Sequence, residues 1–97
     1  MRYEIELAPE AIQDLRRLKA AVRAQVKEAM GIHLRHEPTK TSKSRIKRLR
    51  GALKPRYRLR VGDLRVFYDV SREKVEVLAI VAKRDAEAWL LKAGERS

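Results

Sequence analysis

Near the N-terminus Tyr3, Ile5 and Leu7 alternate with Arg2, Glu4 and Glu6, a period of two that predicts a half-buried strand ending at Ala8. Pro9 then opens a helix. Proline is tolerated at a first helical position, Glu10 and Asp14 lie toward the positive end of the dipole, and Ala11, Ile12, Leu15 and Leu18 share one face. A second helix follows at once, with Val22, Val26, Ala29 and Met30 at three-to-four spacing, and it fades near His36 and Pro38. The pair forms a helical hairpin. Thr39 to Ser44 is polar and turn-like, and the tract Arg45 to Gly51 reads as a helical turn.

From Arg56 the period returns to two. Tyr57, Leu59 and Val61 face one way, and Arg56, Arg58 and Arg60 the other. Gly62-Asp63 is a two-residue link of the kind that closes tight hairpins, after which Leu64, Val66, Tyr68 and Val70 resume the apolar face. A second turn at Ser71 to Lys74 leads into Val75 to Val81. The last segment takes Asp85 as its N-cap, runs through Ala86, Trp89 and Leu90, and stops at Gly94. This order predicts an α+β fold: an antiparallel sheet, built from the N-terminal strand and a three-strand meander, that carries the helical hairpin and the C-terminal helix on one face. At 97 residues there is no room for a second core, so residues 1–97 are expected to form a single small domain.

Composition sharpens this picture mainly through charge. A chain that is 38% charged is disordered only if it lacks apolar periodicity, and this one does not lack it. Without cysteine, neither a disulfide framework nor a thiolate metal site can form. Val75 to Ala82, the longest apolar stretch, is interrupted by Glu76 and too short to span a bilayer, and no signal-peptide pattern opens the chain; a cytoplasmic protein without a membrane partner is expected. The net charge of +11 is concentrated. Ten of the 24 Lys and Arg residues lie between Pro38 and Gly62 with no Asp or Glu, leaving 14 basic against 13 acidic residues elsewhere. Such gathering points to a polyanionic partner, RNA above all. A like-charge run is otherwise a solvated, disordered loop, and Lys40 to Arg48 is where that alternative applies.

The hairpin fixes a register. With Gly62-Asp63 as the loop, Val61 pairs with Leu64, Arg60 with Arg65, Leu59 with Val66 and Arg58 with Phe67. Continuing the meander with Val70 opposite Val75 sets Arg65 opposite Ile80, so that Arg84 emerges on the same face as Arg58, Arg60 and Arg65. Like charges placed opposite each other destabilise a sheet, so the cluster implies a compensating anion. Arginine suits phosphate because its planar fork binds two oxygens at once and keeps its charge. The alternative is that these side chains lie flat and meet water or acids such as Asp69 and Glu76. Phe67 is the stacking candidate for a base, or an apolar neighbour of Leu78 and Ile80; Tyr57 is core.

In order and spacing, Lys47 to Gly51 (KRLRG), Tyr57 to Val61 (YRLRV), Leu64 to Tyr68 (LRVFY) and Val81 to Asp85 (VAKRD), behind an early helical hairpin, make the chain resemble the RelE/ParE superfamily of type II toxin–antitoxin toxins, its RelE branch in particular. The resemblance covers most of the chain. It implies a RelE-like domain that acts as a ribosome-dependent endoribonuclease, an mRNA interferase that enters the A site. There it inhibits translation by cleaving mRNA, with neither metal nor cofactor, through attack of a ribose 2′-OH on the adjacent phosphate. Arg58 and Arg60 fall where the family carries catalytic basic residues, often lysines; Arg65 matches the arginine that contacts the scissile phosphate, and Arg84 the arginine just after the last strand. Arg50 matches a basic residue that helps hold RNA, and Lys47, Lys54, Lys83 and Phe67 join it as RNA-binding candidates. The implied partners are the ribosome, mRNA and a RelB-like antitoxin whose acidic segment covers the basic face, in a higher-order complex that binds operator DNA through the antitoxin.

Two features depart from that pattern. Leu90, with Trp89 beside it, stands where better-studied members carry a tyrosine as general base, and an arginine is a poor base because it holds its proton. Lys83, Tyr68, Asp85 and Glu87 are the substitutes within reach of the pattern, while Trp89 reads as a packing residue. His33 and His36 share a helix face if the second helix extends that far, but without a third ligand beyond Glu37 they read as solvated helix-end residues. Loss of the tyrosine keeps open a ParE-type toxin that inhibits DNA gyrase without catalysis. A plain RNA-binding domain is the third reading.

Overall fold

The computed structural model describes residues 2–50 and 54–96. Strand β1 (Glu4–Leu7) leads into helices α1 (Pro9–Arg17) and α2 (Ala20–Leu34); strands β2 (Ile46–Arg48), β3 (Tyr57–Val61), β4 (Leu64–Ser71) and β5 (Lys74–Ala82) follow, then a 3-10 turn (Lys83–Asp85) and helix α3 (Ala86–Arg96). The strands form one mixed sheet in the order β1-β5-β4-β3-β2.

The helical hairpin forms where the periodicity places it. Pro9 occupies the first turn of α1, Glu10 sits at its positive end, and Arg16 and Arg17 lie in its last turn, where cations suit the dipole. Leu18 and Lys19 are extended, so the chain reverses in two residues. Arg23 holds the reversal by donating from Nε to the Leu15 carbonyl (3.3 Å) and from Nη2 to the Leu18 carbonyl (2.8 Å). Carbonyls at the end of α1 that lack helical partners are thereby satisfied.

Ala11, Val26, Met30 and Leu34 from the two helices pack over Leu59, Val66, Tyr68, Val75, Val77 and Ile80 of the sheet. Tyr57 and Tyr68 stack with ring centroids 5.6 Å apart, and the buried Tyr68 hydroxyl donates to the Pro38 carbonyl at 2.6 Å. Tyr68 thus ties the segment after α2 to the middle of the sheet.

Four expectations are corrected. β1 runs parallel to β5, with Ile5 beside Val75 and Leu7 beside Val77, because alternation specifies the face of a strand and not its direction. The tract expected as a helical turn is instead the edge strand β2, with Ile46 opposite Leu59 and Lys47 opposite Arg58. A helical turn would stack its like charges at three- and four-residue spacing, whereas an extended edge strand spreads them. Gly51, the end of that tract and of the KRLRG motif, lies outside the described residues. Helix α3 packs on the other face of the sheet from α1 and α2: Trp89 stacks on Phe67, which alternates with the core residues Val66 and Tyr68, at 4.9 Å and 5° between ring planes. It also continues past Gly94 to Arg96, since one glycine in a helix costs only about 1 kcal/mol.

β1 covers β5 only as far as Val77, leaving the Ile80 amide on an open edge. Asp14 of α1 closes it, its carboxylate accepting from the Ile80 N–H at 2.9 Å. Burial raises the Asp14 pKa above its ordinary 3.8, although the Ile80 amide pulls it down. Where the folded pKa exceeds the unfolded one, the folded state binds the extra proton, so stability falls as pH rises through that window. Compared with Asp14→Asn, which keeps an acceptor and loses the charge, the wild-type protein should therefore lose stability as pH rises from 3.8 through the raised value. Urea titrations of both proteins across this range check the sign; a difference independent of pH contradicts it. Asp14→Ala should be about 1 kcal/mol less stable than Asp14→Asn at every pH, because it orphans the amide. No helix among the described residues is long and apolar enough to cross a membrane.

Candidate functional site

The meander hairpin places its arginines by register. Gly62, at φ 56°, turns the chain in a conformation that glycine adopts without strain, and β3 and β4 then pair Arg60 with Arg65 and Arg58 with Phe67. On the face turned away from the core, a groove of about 590 Å³ runs between the sheet and α3. Lys47, Arg50, Arg58, Arg65 and Phe67 line it from the sheet side, and Lys83, Glu87 and Leu90 from the side of the 3-10 turn and α3.

The two groove arginines solve the problem of burial differently. Arg65 is 6% exposed, and its Nη1 donates to the carbonyls of Gly62 (3.0 Å) and Leu64 (2.9 Å). The like-charge pairing with Arg60 is thus relieved in part by backbone carbonyls of the turn. Arg58 has less help. Its Nη2 reaches the Ser44 carbonyl at 3.3 Å, while its Nε is buried and has no hydrogen-bond partner among the described residues. Burial, then Arg65 and Arg60, push the Arg58 pKa below its ordinary value. A buried donor left unpaired costs about 1–3 kcal/mol, more when charged, so the arrangement favours any anion that enters the groove.

Comparison with known proteins identifies the lineage. Residues 5–87 match the family described as "ParE toxin of type II toxin-antitoxin system, parDE". The chain belongs to it. Among solved structures, the toxin is similar to RelE in the RelE–RelB complex of the archaeon Pyrococcus horikoshii, with 27% identity over 86% of this chain and 97% of that one and a TM-score of 0.70. It is equally similar to RelBE2 of Mycobacterium tuberculosis, with 25% identity over 84% of this chain and 99% of that one, also at 0.70. A free-state variant of the E. coli toxin RelE shares the fold at a TM-score of 0.72, with 23% identity over 95% of this chain and 97% of that one. No curated protein matches the sequence. The chain is a type II toxin of the RelE/ParE superfamily.

Of the arginines expected to converge, the toxin brings Arg58 and Arg65 into the groove, with Lys47, Arg50, Lys83 and Phe67. Arg60 lies outside it, in a smaller cavity with Ser44, Arg45 and Gly62. Arg84 also lies outside, its side chain 88% exposed and 4.0 Å from Asp85, in a cavity with Asp63, Ala82 and Lys83. The cause is a bulge. Phe67 pairs with Ala79 and Tyr68 with Val77, so Leu78 is an additional residue in β5, and Arg65 meets Val81 where the uninterrupted register predicts Ile80. Beyond the bulge each residue of β5 is advanced by one position, and Lys83 comes to the groove in place of Arg84.

Two other expectations change. Lys54 is ion-paired with Glu76 at 2.8 Å, beside Leu78 and Trp89, and does not face the groove. Phe67 is 1% exposed, with one ring face covered by Trp89, so it forms a floor and offers no open surface to a base. Trp89 is the packing residue expected, and its indole N–H donates to Glu10. Among the proton acceptors considered, Tyr68 is buried on the core side with its hydroxyl committed to Pro38, and burial raises its pKa far above the usual phenol value. Asp85 sits beside Arg84. His36 lies beyond the end of α2, and His33 accepts from Arg45 at 3.3 Å, its pKa lowered by burial and by Arg45. Among the described residues no group of three His, Asp or Glu side chains is placed to hold a metal ion. Arg48, which lies over the Tyr57 ring at 5.8 Å and borders the groove, was not singled out from the sequence, because its strand was not read as one.

Proposed function

We propose that the toxin is a ribosome-dependent endoribonuclease that cleaves translated mRNA in the A site, by attack of a ribose 2′-OH on the adjacent phosphate and without metal. The observation that carries this reading is the buried, unpaired Nε of Arg58 beside Arg65 in a cationic groove. A phosphate seated there neutralises two neighbouring guanidiniums, and the pentavalent transition state, with one more negative charge, gains more than the ground state does. The RelE structures at 27% and 25% identity add weight to the nuclease reading. Arg60 and Arg84, outside the groove, are assigned to flanking phosphates, and Lys47, Arg50 and Lys83 to holding the strand. Replacing Arg50 with a neutral residue should weaken RNA binding at all sequences and lower the salt slope, d log K/d log[salt], by about 1, which filter binding across a salt series measures.

The same groove fits an antitoxin. Since the P. horikoshii RelE structure is a complex with RelB, a RelB-like antitoxin is assigned here, with an acidic segment laid over Arg58 and Arg65. Assembly to higher order and binding of operator DNA would come through that partner.

A second reading, non-catalytic inhibition of DNA gyrase, draws on Leu90, an apolar side chain in the groove where the resemblance implies a tyrosine. Inducible expression followed by mapping of mRNA 5′ ends separates the two. Codon-phased cuts confined to translated messages support the nuclease; growth arrest with intact mRNA and altered DNA supercoiling overturns it in favour of gyrase.

A further inference from the structure

The groove contains one carboxylate, and its position is informative. Glu87 stands in the first turn of α3 and lines the groove together with Lys47, Arg48, Arg50, Arg58, Arg65 and Lys83, which face it from β2 and the segment after it, from β3, from β4 and from the 3-10 turn. Elsewhere Glu76 pairs with Lys54, Glu6 with Lys74 and Glu37 with Lys40. Glu87 forms no such ion pair with a described residue, although six cations border the same cavity. A carboxylate in a phosphate-binding groove weakens anion binding, so its presence opposite Arg58 and Arg65 is costly unless the carboxylate acts on the bound anion.

The chemistry proposed for this groove has a role that the other residues leave open. Attack by a 2′-OH requires an acceptor for its proton, and guanidiniums do not serve. Tyr68 is sealed in the core, Asp85 is set beside Arg84 outside the groove, and His33 is held by Arg45 at a different cavity. Glu87 is the acid that shares the cavity with both groove arginines. Because α3 is fastened to the sheet by Trp89 on Phe67 and to α1 by the Trp89–Glu10 hydrogen bond, Glu87, two residues before Trp89, is carried on an anchored element.

We infer that Glu87 is the proton acceptor of the cleavage reaction, a role that rests on the nuclease reading above. In this step the ribose 2′-oxygen forms a bond to the adjacent phosphorus as the bond from phosphorus to the 5′-oxygen breaks. The 2′-hydroxyl proton passes to a carboxylate oxygen of Glu87, and the departing 5′-oxygen takes a proton from solvent. The products are a 2′,3′-cyclic phosphate and a 5′-hydroxyl, and Glu87 returns its proton to water. Arg58 and Arg65 stabilise the phosphorane charge while Glu87 removes the proton, so acceptor and electrostatic clamp face each other across one groove.

The test is single-turnover cleavage of A-site mRNA on programmed ribosomes by the wild-type toxin, Glu87→Gln and Glu87→Asp, across a range of pH. Glu87→Gln should cut about 10²–10⁴-fold more slowly, the contribution expected of a positioned acid–base group. It should also lose the rise in rate with pH that marks deprotonation of the acceptor, while binding mRNA at least as tightly because a repulsive charge is gone. Glu87→Asp should retain the pH dependence at an intermediate rate. An unchanged rate and pH profile in Glu87→Gln, with wild type active, overturns the role of Glu87 and leaves the nuclease reading standing. An inactive wild type overturns the nuclease reading first and the role of Glu87 with it. Melting curves of the free variants separate chemistry from folding: a loss of activity matched by a loss of fold in Glu87→Gln, together with wild-type pH dependence in any residual cleavage, also counts against the proposal.

Discussion

Arg58→Ala is expected to lower the rate of mRNA cleavage about 10²–10³-fold, the loss typical when one preorganised donor is removed from a developing oxyanion. Its effect on stability should run the other way. In the wild-type protein the Arg58 guanidinium is partly buried, its Nε is unpaired, and Arg65 and Arg60 both disfavour its charge. Alanine removes that burial cost and repulsion together, so the melting temperature should hold or rise. Opposite movement of stability and activity is the mark of a residue kept for function at the expense of the fold. Arg58→Lys, measured in the same assay, should recover only part of the rate, since an ammonium restores a point charge but lacks the planar fork. A variant that is both inactive and unfolded, or fully active, would contradict this assignment.

The second large effect concerns the floor of the groove. Phe67 is 1% exposed and stacked against Trp89, and that contact fixes α3 over the sheet. Phe67→Ala should destabilise the protein by about 3–5 kcal/mol, the usual cost of emptying a buried phenylalanine site. At this chain length each kcal/mol moves the melting temperature by about 4–8 °C, so calorimetry should show a drop well outside error. Because α3 carries Glu87 and Leu90 into the groove, cleavage should fall as well, even at temperatures where the variant stays folded. Phe67→Leu, which keeps an apolar filler, should recover much of the stability and less of the activity.

Much of this site was legible in the residues. The hairpin register came directly from Gly62-Asp63 and two alternating strands, and it placed Arg58 opposite Phe67 and Arg60 opposite Arg65 as the fold has them. The next hairpin was legible only as far as Val70 opposite Val75. Val77 to Ala82 is an unbroken apolar run, so its pattern does not reveal the additional residue Leu78, and the bulge there moved Arg84 out of the groove and Lys83 into it. β2 was hidden because one buried residue, Ile46, stands among charges whose tract reads as a helical turn. The packing role of Trp89 was readable, but not the face of the sheet on which it packs, since a single aromatic in an amphipathic helix carries no information about which layer receives it. The unpaired Arg58 donor and the position of Glu87 depend on contacts between segments far apart in the chain, and these appear only in the folded structure.

The direct test of the central claim uses purified components: ribosomes stalled with a defined codon in the A site, the isolated toxin, and sequencing of both mRNA fragments with their end groups. The account predicts a cut within the A-site codon, a 2′,3′-cyclic phosphate on the upstream fragment, a 5′-hydroxyl on the downstream one, and loss of both products with Arg58→Ala. Intact mRNA, together with inhibition of gyrase supercoiling by the same preparation, would contradict it.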